Sequence, residues 1–282
     1  TLEPGTGKDV DYANKIKEFI KINRLPVVIG LGNEFISQSE KRKRKGKRVE
    51  EFTLPDVFAL SDAIFTTSII EGFGFCFHEG WLTGKAVMGR KLPYVCNDFE
   101  KNGLDFKHLY KKLWVKLDWI KNAERRINEV YYKDANYLRK SQNMKIISKK
   151  SVKRYVSNIK FYKVGRDKCI DFKDLNLEMQ LEAMGEIFAD DKKIAKFIKL
   201  NPTIKRMHNM LMRKPKTLIE FNKKKVIEKY GLKAKAERLN SLFLVGNSNY
   251  LKKIKQKKAS NQKVITKYLD LDYIHPLTVD KV

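Results

Sequence analysis

Cysteine is scarce in this chain, and the few cysteines form no recognisable pattern. Cys76, Cys96 and Cys169 lie far apart in the sequence and include no C-x-x-C pair. This spacing argues against a disulfide framework and against a zinc site built on paired cysteines. The four histidines are scattered as well, so we expect no bound metal. A chain without structural disulfides is typical of a reducing compartment, and we expect a cytoplasmic protein.

Long hydrophobic runs are also missing. No stretch approaches the roughly 18 consecutive apolar residues that a transmembrane helix needs. The first residues, TLEPGTGKDV, have neither the basic nor the apolar region of a signal peptide. Because the first residue is Thr rather than Met, we expect the chain to be part of a longer protein. Hydrophobic residues still make up 42% of the sequence, which favours a packed core over disorder.

Acidic residues are outnumbered by basic ones, and the formal net charge is +27. Such a charge indicates either an anionic partner or simply a lysine-biased composition. The densest basic run is KRKRKGKR, at Lys41–Arg48, which we interpret as an exposed loop. It is compatible with a solvated insertion, with peripheral contact to an anionic membrane, or with a nucleic-acid patch. We do not expect nucleic acid to be the partner, because no zinc finger, recognition helix or RNP motif accompanies the run.

The familiar phosphate-binding loops are incomplete. GTGKD, at Gly5–Asp9, resembles the end of a Walker A loop, but it lacks the first glycine and the final Ser or Thr. GFGFCF, at Gly72–Phe77, follows a predicted strand but lacks the third glycine of the dinucleotide-binding fingerprint. We therefore expect neither a P-loop nor a standard dinucleotide site.

The first part of the chain predicts an α/β domain. Short β-branched runs alternate with short helical patterns, which favours βαβ units and a Rossmann-like parallel sheet. The predicted strands are Leu25–Leu31, Ala63–Thr67, Ala86–Gly89 and Leu113–Leu117. Helices are predicted at Asp9–Asn23, Leu54–Leu60 and Phe75–Leu82.

From about residue 120 the strand signals become rare and amphipathic helical spacing dominates. The predicted helices span 124–137, 176–188, 192–200, 202–212, 218–230 and 234–243. We therefore predict a Rossmann-like domain over 1–119, a helical region over 120–247, and a polar, irregular, docked tail over 248–282.

A candidate ligand site lies where the strand Ala63–Thr67 ends. In open α/β sheets, ligands bind beyond the carboxyl edge of the strands. Gly72 and Gly74 would let backbone N–H groups approach a ligand closely, and the start of the next helix favours a diphosphate. Glu79 would accept hydrogen bonds from sugar hydroxyls, while Glu71 stays in the loop. Helix capping by the two acids is the structural alternative.

These residues resemble an element of known enzymes. Glu71, Gly72, Phe73, Gly74 and Glu79 match the E-G-F-G-x4-E pattern of retaining GT-B glycosyltransferases, particularly the family-4-like enzymes. The flanking segments ALSDAIFTTS, EGWLTGKAVMG and LPVVIGLG resemble strands and loops of the same domain. The resemblance covers roughly Leu2–Leu117 and concerns the C-terminal, donor-binding half of such enzymes.

The resemblance implies transfer of a hexose from a nucleotide diphosphate sugar with retention of configuration and without a cofactor. Glu79 would hold the ribose, Glu71 would lie near the transferred sugar, and the backbone of Gly72–Phe75, including Phe73, would meet the diphosphate and sugar. The side chains of Phe73, Phe75 and Phe77 are expected in the core. Arg90 would reach a phosphate or the sugar, or would be a surface arginine.

The family's basic phosphate-binding pair and its N-terminal acceptor domain have no match in this chain, so we expect a missing acceptor domain. The acceptor is not indicated. The alternative functions are a non-catalytic module that binds nucleotide sugars or anionic polymers, and a nucleic-acid-binding protein.

Overall fold

A computed structural model describes residues 7–30, 32, 35–37, 41–46, 48–72, 74–246 and 261–276. It is a mixed α/β structure in which helices predominate. The chain divides into two compact units. The first comprises Thr1–Lys111 and Thr203–Lys252, and the second comprises Lys112–Pro202 and Lys253–Val282. The chain passes from the first unit to the second between Lys111 and Lys112, and the boundary predicted from the sequence is at residue 119. The predicted helical region is shared between both units.

Strands and helices are interspersed along the chain. In chain order, the described strands are β1 (Lys43–Lys45), β2 (Arg48–Glu51), β3 (Ala63–Thr66), β4 (Ala86–Gly89), β5 (Trp114–Lys116), β6 (Phe161–Val164) and β7 (Asp167–Asp171). The described α-helices are α1 (Gly7–Ile22), α2 (Leu54–Leu60), α3 (Cys76–Leu82), α4 (Pro93–Lys101), α5 (Ala123–Ser141), α6 (Lys149–Tyr155), α7 (Leu177–Phe188), α8 (Asp191–Leu200), α9 (Pro202–Met212), α10 (Lys216–Tyr230), α11 (Leu232–Gly246) and α12 (Asn261–Tyr268). None of these helices is long and apolar enough to cross a bilayer.

A β3–α3–β4 unit forms the centre of the first compact unit. β3 and β4 pair in parallel, with Ala63 opposite Ala86 and Thr66 opposite Gly89. α3 packs closely on this pair because Gly80 lies where a Cβ would be 2.3 Å from Val87 Cγ2. The parallel pair and its connecting helix confirm the coarse α/β prediction.

The inner face of α3 is aromatic. Phe77 and Trp81, four residues apart, are both fully buried, as the helical spacing predicts. The Phe77 ring makes an edge contact with Phe106, their centroids being 5.6 Å apart. α10, from the second stretch of the unit, packs against α3. This packing joins residues from both stretches of the chain in one core.

The basic run at Lys41–Arg48 forms part of an antiparallel β1–β2 hairpin rather than the predicted loop, so that prediction is wrong about the element. Its described residues are exposed, as expected. Two ion pairs stabilise its base: Arg42 contacts Asp56 at 2.5 Å, and Lys43 contacts Glu51 at 2.7 Å. Asp56 also closes a capping box with Thr53 at the start of α2, which is worth about 1 kcal/mol.

Two strand predictions need correction. Residues 25–30 have no regular structure, in contrast to the strand predicted at Leu25–Leu31; Leu31 lies outside the described residues. The predicted fourth strand exists as β5, but it belongs to the second compact unit and pairs antiparallel with β7. The other strand pair of this sheet is antiparallel as well, since β6 and β7 form a hairpin that turns at Gly165.

The second unit combines the antiparallel sheet β5–β7–β6 with helices α5 and α7. Its core contains a buried ion pair, in which Lys160 Nζ lies 3.1 Å from Asp174 Oδ1. The Tyr131 hydroxyl donates to the same oxygen at 3.1 Å. Extra hydrogen bonding of this kind offsets part of the cost of burying two charges.

The helix predictions between 124 and 243 are confirmed as α5 and α7 to α11. The prediction of an irregular, docked tail is only partly right. The tail is docked, since Leu271 and Ile274 are buried against Ala135, but it also contains α12. Residues 247–260, which cover the first part of the predicted tail, lie outside the described residues.

Candidate functional site

The candidate site begins where β3 and β4 end together. Gly89 has φ +119°, and a Cβ there would lie 1.9 Å from the Thr66 carbonyl oxygen. The same oxygen accepts a hydrogen bond from the Arg90 N–H at 2.8 Å. Only glycine fits at this position. It lets the two strands stay close up to the point at which each strand ends and its loop begins.

Glu71 lies five residues after β3 and is half-buried. Its backbone N–H donates a hydrogen bond to the Tyr94 hydroxyl at 2.6 Å. The Cys76 Sγ lies 3.9 Å from Glu71 Oε1, and burial raises the pKa of this thiol. A raised pKa keeps Cys76 as a neutral thiol beside the carboxylate at neutral pH. Glu71 is thus held by α3 on one side and by α4 on the other.

The two glycines of the turn have different structural roles. Gly72 is exposed, and a Cβ there would meet nothing within 4 Å. Gly74 is buried with φ +70°, and a Cβ there would lie 2.4 Å from Val95 Cγ1. Gly74 is therefore required by backbone conformation and packing, whereas Gly72 leaves open space at the surface. Phe73 lies outside the described residues.

The outer face of α3 is uncovered in the part of the chain that the structure describes. Phe75, just before the helix, is 62% exposed, and Leu82 is 43% exposed. Glu79 lies between them on this face and is exposed. The prediction that the Phe75 side chain belongs to the core is wrong, because residues 75, 79 and 82 lie opposite the buried face formed by Phe77 and Trp81.

Arg90 follows β4 and is 96% buried, since its relative exposure is only 4%. Its guanidinium lies over the Tyr110 ring at 5.1 Å, and Nη1 donates to the Lys111 carbonyl at 3.2 Å. The alternative of a surface arginine is therefore wrong. Lys91, next in the chain, places Nζ 2.6 Å from both carboxylate oxygens of Glu100.

A histidine lies on the flank of α3 within an aromatic cluster. The His78 ring makes tilted contacts with the rings of Phe99 and Tyr230, with centroid distances of 4.2 and 4.6 Å. Burial lowers the pKa of His78 to about 4. His78 is consequently neutral at physiological pH, which is compatible with a packing role.

The structure brings Glu71, Gly72 and Tyr94 together at the carboxyl edge of the parallel pair. Sequence reasoning missed Tyr94, although it follows β4 at that same edge, where the rule for open α/β sheets would have indicated it. Arg90 leaves the same edge but turns inward. Among the described residues, no group of three or more His, Cys, Asp or Glu side chains is placed to hold a metal ion.

Comparison with known proteins adds no relative. No protein-family model matches the chain, and neither the curated proteins nor the solved structures include a match. The resemblance to retaining GT-B glycosyltransferases therefore depends on the sequence pattern alone.

Proposed function

We propose that the first unit binds a nucleotide diphosphate sugar and belongs to a retaining glycosyltransferase, with β3–α3–β4 as part of a Rossmann-like donor domain. The observation that carries the proposal is the exposure of Glu79 on the uncovered face of the helix that follows a parallel strand. Glu79 also lies in the first turn of α3, where an acid stabilises the start of a helix, and its exposure leaves the same carboxylate accessible to a ligand.

The chemistry assigns different tasks to the two acids. Glu79 accepts hydrogen bonds from the ribose hydroxyls of the donor, and each bond to a charged acceptor contributes about 1.5–3 kcal/mol. Glu71 lies beside the transferred sugar, held through its backbone by Tyr94. Backbone N–H groups of the turn that contains Gly72 stabilise the departing diphosphate as its bond to the sugar breaks.

Binding and turnover of donor sugars test this proposal. Calorimetry with UDP-, GDP- and ADP-sugars should detect one donor, and Glu79→Gln should weaken its binding by about tenfold or more. Glu220→Gln is the matched control, since Glu220 is exposed on α10 of the same unit. Equal affinities of the two variants, or no binding of any donor by the unaltered protein, would contradict the proposal.

Turnover separates an enzyme from a binding module. Glu71→Gln should keep donor affinity and lose sugar transfer to acceptor or to water. If the unaltered protein binds a donor but neither transfers nor hydrolyses its sugar under any acceptor condition, the first unit is a non-catalytic nucleotide-sugar binder.

A second candidate function, binding of an anionic polymer, is favoured by the β1–β2 hairpin. Lys45 lies directly opposite Arg48, and like charges in a cross-strand pair are destabilising. Arg44 points to the other face of the hairpin, opposite Val49. A polyanion would relieve this repulsion.

Salt dependence tests the second candidate. Replacing Arg44, Lys45 and Arg48 by Ser should lower the salt dependence of duplex DNA binding by a slope of about 2–3. The control variant replaces Arg213, Lys224 and Lys233, which are exposed in the same unit. An equal decrease in the salt dependence of both variants would show that DNA binds to the positive charge of the whole unit rather than to the hairpin. Binding to anionic vesicles but not to DNA would point to a membrane instead.

A further inference from the structure

The second unit contains a cavity of about 450 Å³ that the proposed donor site does not include. It lies between α5 and α6, and its volume falls within the range of small-molecule sites. Its lining includes Arg125, Asn128, Glu129 and Tyr132 from α5 and Lys149 and Lys153 from α6. These residues supply both charges and an aromatic face.

The charges on the α5 side are already compensated. Arg125 forms an ion pair with Glu129 at 3.7 Å, one turn along the helix. Glu124, which also lines the cavity, forms an ion pair with Lys168 at 2.5 Å. The acids of the cavity wall are therefore paired with neighbouring cations.

The two lysines on α6 differ from these pairs. Lys149 and Lys153 are one helical turn apart, both are exposed, and neither forms an ion pair with another described residue. The Lys149 ammonium lies 5.6 Å from the Tyr132 ring centroid. Two ammonium groups at this spacing, facing one cavity, favour an anion that can contact both.

Asn128 adds an unmet hydrogen-bonding requirement. Its Nδ2 donates to the Glu124 carbonyl at 2.6 Å, which directs Oδ1 away from the helix backbone. That Oδ1 is buried and accepts no hydrogen bond. A buried acceptor without a donor is costly, and a rotation of the Asn128 side chain would bring Oδ1 to a ligand hydroxyl in the cavity.

The geometry points to a small phosphate monoester that carries hydroxyl groups, such as a phosphorylated sugar, as the ligand of this cavity. The phosphate contacts Lys149 and Lys153, a hydroxyl donates to Asn128 Oδ1, and the apolar face of the ring packs on Tyr132. A cation would be repelled by the two lysines, a purely apolar ligand would leave Asn128 unsatisfied, and inorganic phosphate would fill only a small part of the volume.

Calorimetry at low ionic strength with glucose 6-phosphate as the probe tests this inference. We expect glucose 6-phosphate to bind at least tenfold more tightly than either inorganic phosphate or glucose. Asn128→Ala should reduce this preference over inorganic phosphate severalfold. The Glu79→Gln variant of the first unit should leave the affinity unchanged, which separates this inference from the proposed function.

A matched pair of variants isolates the cavity from the general positive charge. Lys149→Gln with Lys153→Gln should weaken binding at least tenfold. Lys150→Gln with Arg154→Gln removes the same charge at the same spacing on the same helix, outside the cavity lining, and should change the affinity less than twofold. Circular dichroism melting establishes that both variants fold.

Three results would overturn the inference. The first is no detectable binding of glucose 6-phosphate by the unaltered protein. The second is equal affinity for inorganic phosphate, which would show an adventitious anion site. The third is equal weakening by both double variants, which would show that the charge of the helix as a whole, rather than the cavity, attracts the anion.

Discussion

At the residue scale, Gly89 occupies a position that leaves no room for a side chain. Its positive φ and the 1.9 Å that would separate a Cβ from the Thr66 oxygen both disfavour any other residue. We expect Gly89→Ala to lower the free energy of unfolding by about 3 kcal/mol or more, measured by urea denaturation. Gly72→Ala, where the space is open, should change it by less than about 0.5 kcal/mol. Similar losses in both variants would contradict this steric account.

His78 predicts a pH-dependent stability. Its pKa is about 4 in the folded protein, below its ordinary value near 6.5. Between these two values the unfolded chain binds more protons than the folded one, so stability falls as the pH drops from about 6.5 towards about 4. We expect His78→Phe to remove about 1–2 kcal/mol of the stability difference between pH 7 and pH 5.

The pH comparison has an internal control. Burial also lowers the pKa of His108, so the unaltered protein keeps some pH dependence from that residue. The informative quantity is the difference between the unaltered protein and the variant in urea melts at the two pH values. His208→Gln, which changes an exposed histidine, should keep the full dependence. A His78→Phe profile identical to that of the unaltered protein would contradict the prediction.

At the element scale, α10 is fastened to the loop after α4 by one buried amide. Asn222 Oδ1 accepts from the Asp105 N–H at 2.8 Å, and its Nδ2 donates to the Asp105 carbonyl at 2.9 Å. Asn201 makes the same kind of paired contact with the backbone of Trp114 in the second unit. A single side chain thus satisfies both backbone groups of one residue.

Replacing this amide should loosen the contact between α10 and the loop. Asn222→Ala leaves the N–H and the C=O of the partly buried Asp105 without these partners, and we expect a loss of about 1–2 kcal/mol of unfolding free energy. Hydrogen exchange of the Asp105 amide should accelerate in the same variant. Asn209→Ala, at an exposed position of α9, is the control and should melt like the unaltered protein. Unchanged exchange at Asp105 would show that the amide pair does not hold the loop.

An element can be predicted when the residues that determine it lie within the element itself. Helices α5 and α7 to α11 are predictable because a 3.6-residue apolar period is a local property. The run at Leu25–Leu31 has the β-branched composition of a strand, but a strand also needs a partner, which composition does not specify. The β1–β2 hairpin escapes prediction because its strands lack apolar alternation, and the acids that pair with it, Glu51 and Asp56, lie outside the basic run.

The same division applies to the candidate site. The positions of Glu71 and Glu79 with respect to β3 and α3 are predictable because both follow from the order of elements. The burial of Arg90 is not predictable, since it depends on Tyr110 and Lys111, some twenty residues later in the sequence. The unpaired Oδ1 of Asn128 depends likewise on how α5 packs and has no sequence signal.

At the scale of the whole molecule, the net charge of +27 should oppose compactness. Most ion pairs of the described residues are at least partly exposed and contribute little. We therefore expect the melting temperature to rise by several degrees when NaCl is increased from about 0.02 M to about 0.3 M, because salt screens the repulsion.

A variant with more positive charge sharpens this test. Glu18→Gln with Glu220→Gln removes two exposed carboxylates and should make the rise with salt steeper. Sucrose at matched osmolality should not reproduce the difference between the variant and the unaltered protein. A melting temperature that falls with NaCl would show that ion pairs outweigh the repulsion.

The course of the chain through the two units is the feature least accessible from the sequence. Local composition changes near residue 120, and the first crossing lies between Lys111 and Lys112. The return at Thr203 has no such signal, because α9 and α10 continue the run of helices that precedes them. For α10, only the residues that it contacts, such as Asp105, reveal the unit to which it belongs.

The bonds between Asp105 and Asn222 join positions 117 residues apart, and this separation constrains how the polypeptide matures during synthesis. When the ribosome has released β3, α3 and β4, the aromatic surface around His78 still lacks Tyr230, which has not been made. That surface stays open to chaperones, or to aggregation, until α10 emerges. A stop codon after α8 would therefore remove α9 and α10. The first part of the first unit, although fully translated, would then lack the helix that covers its aromatic surface.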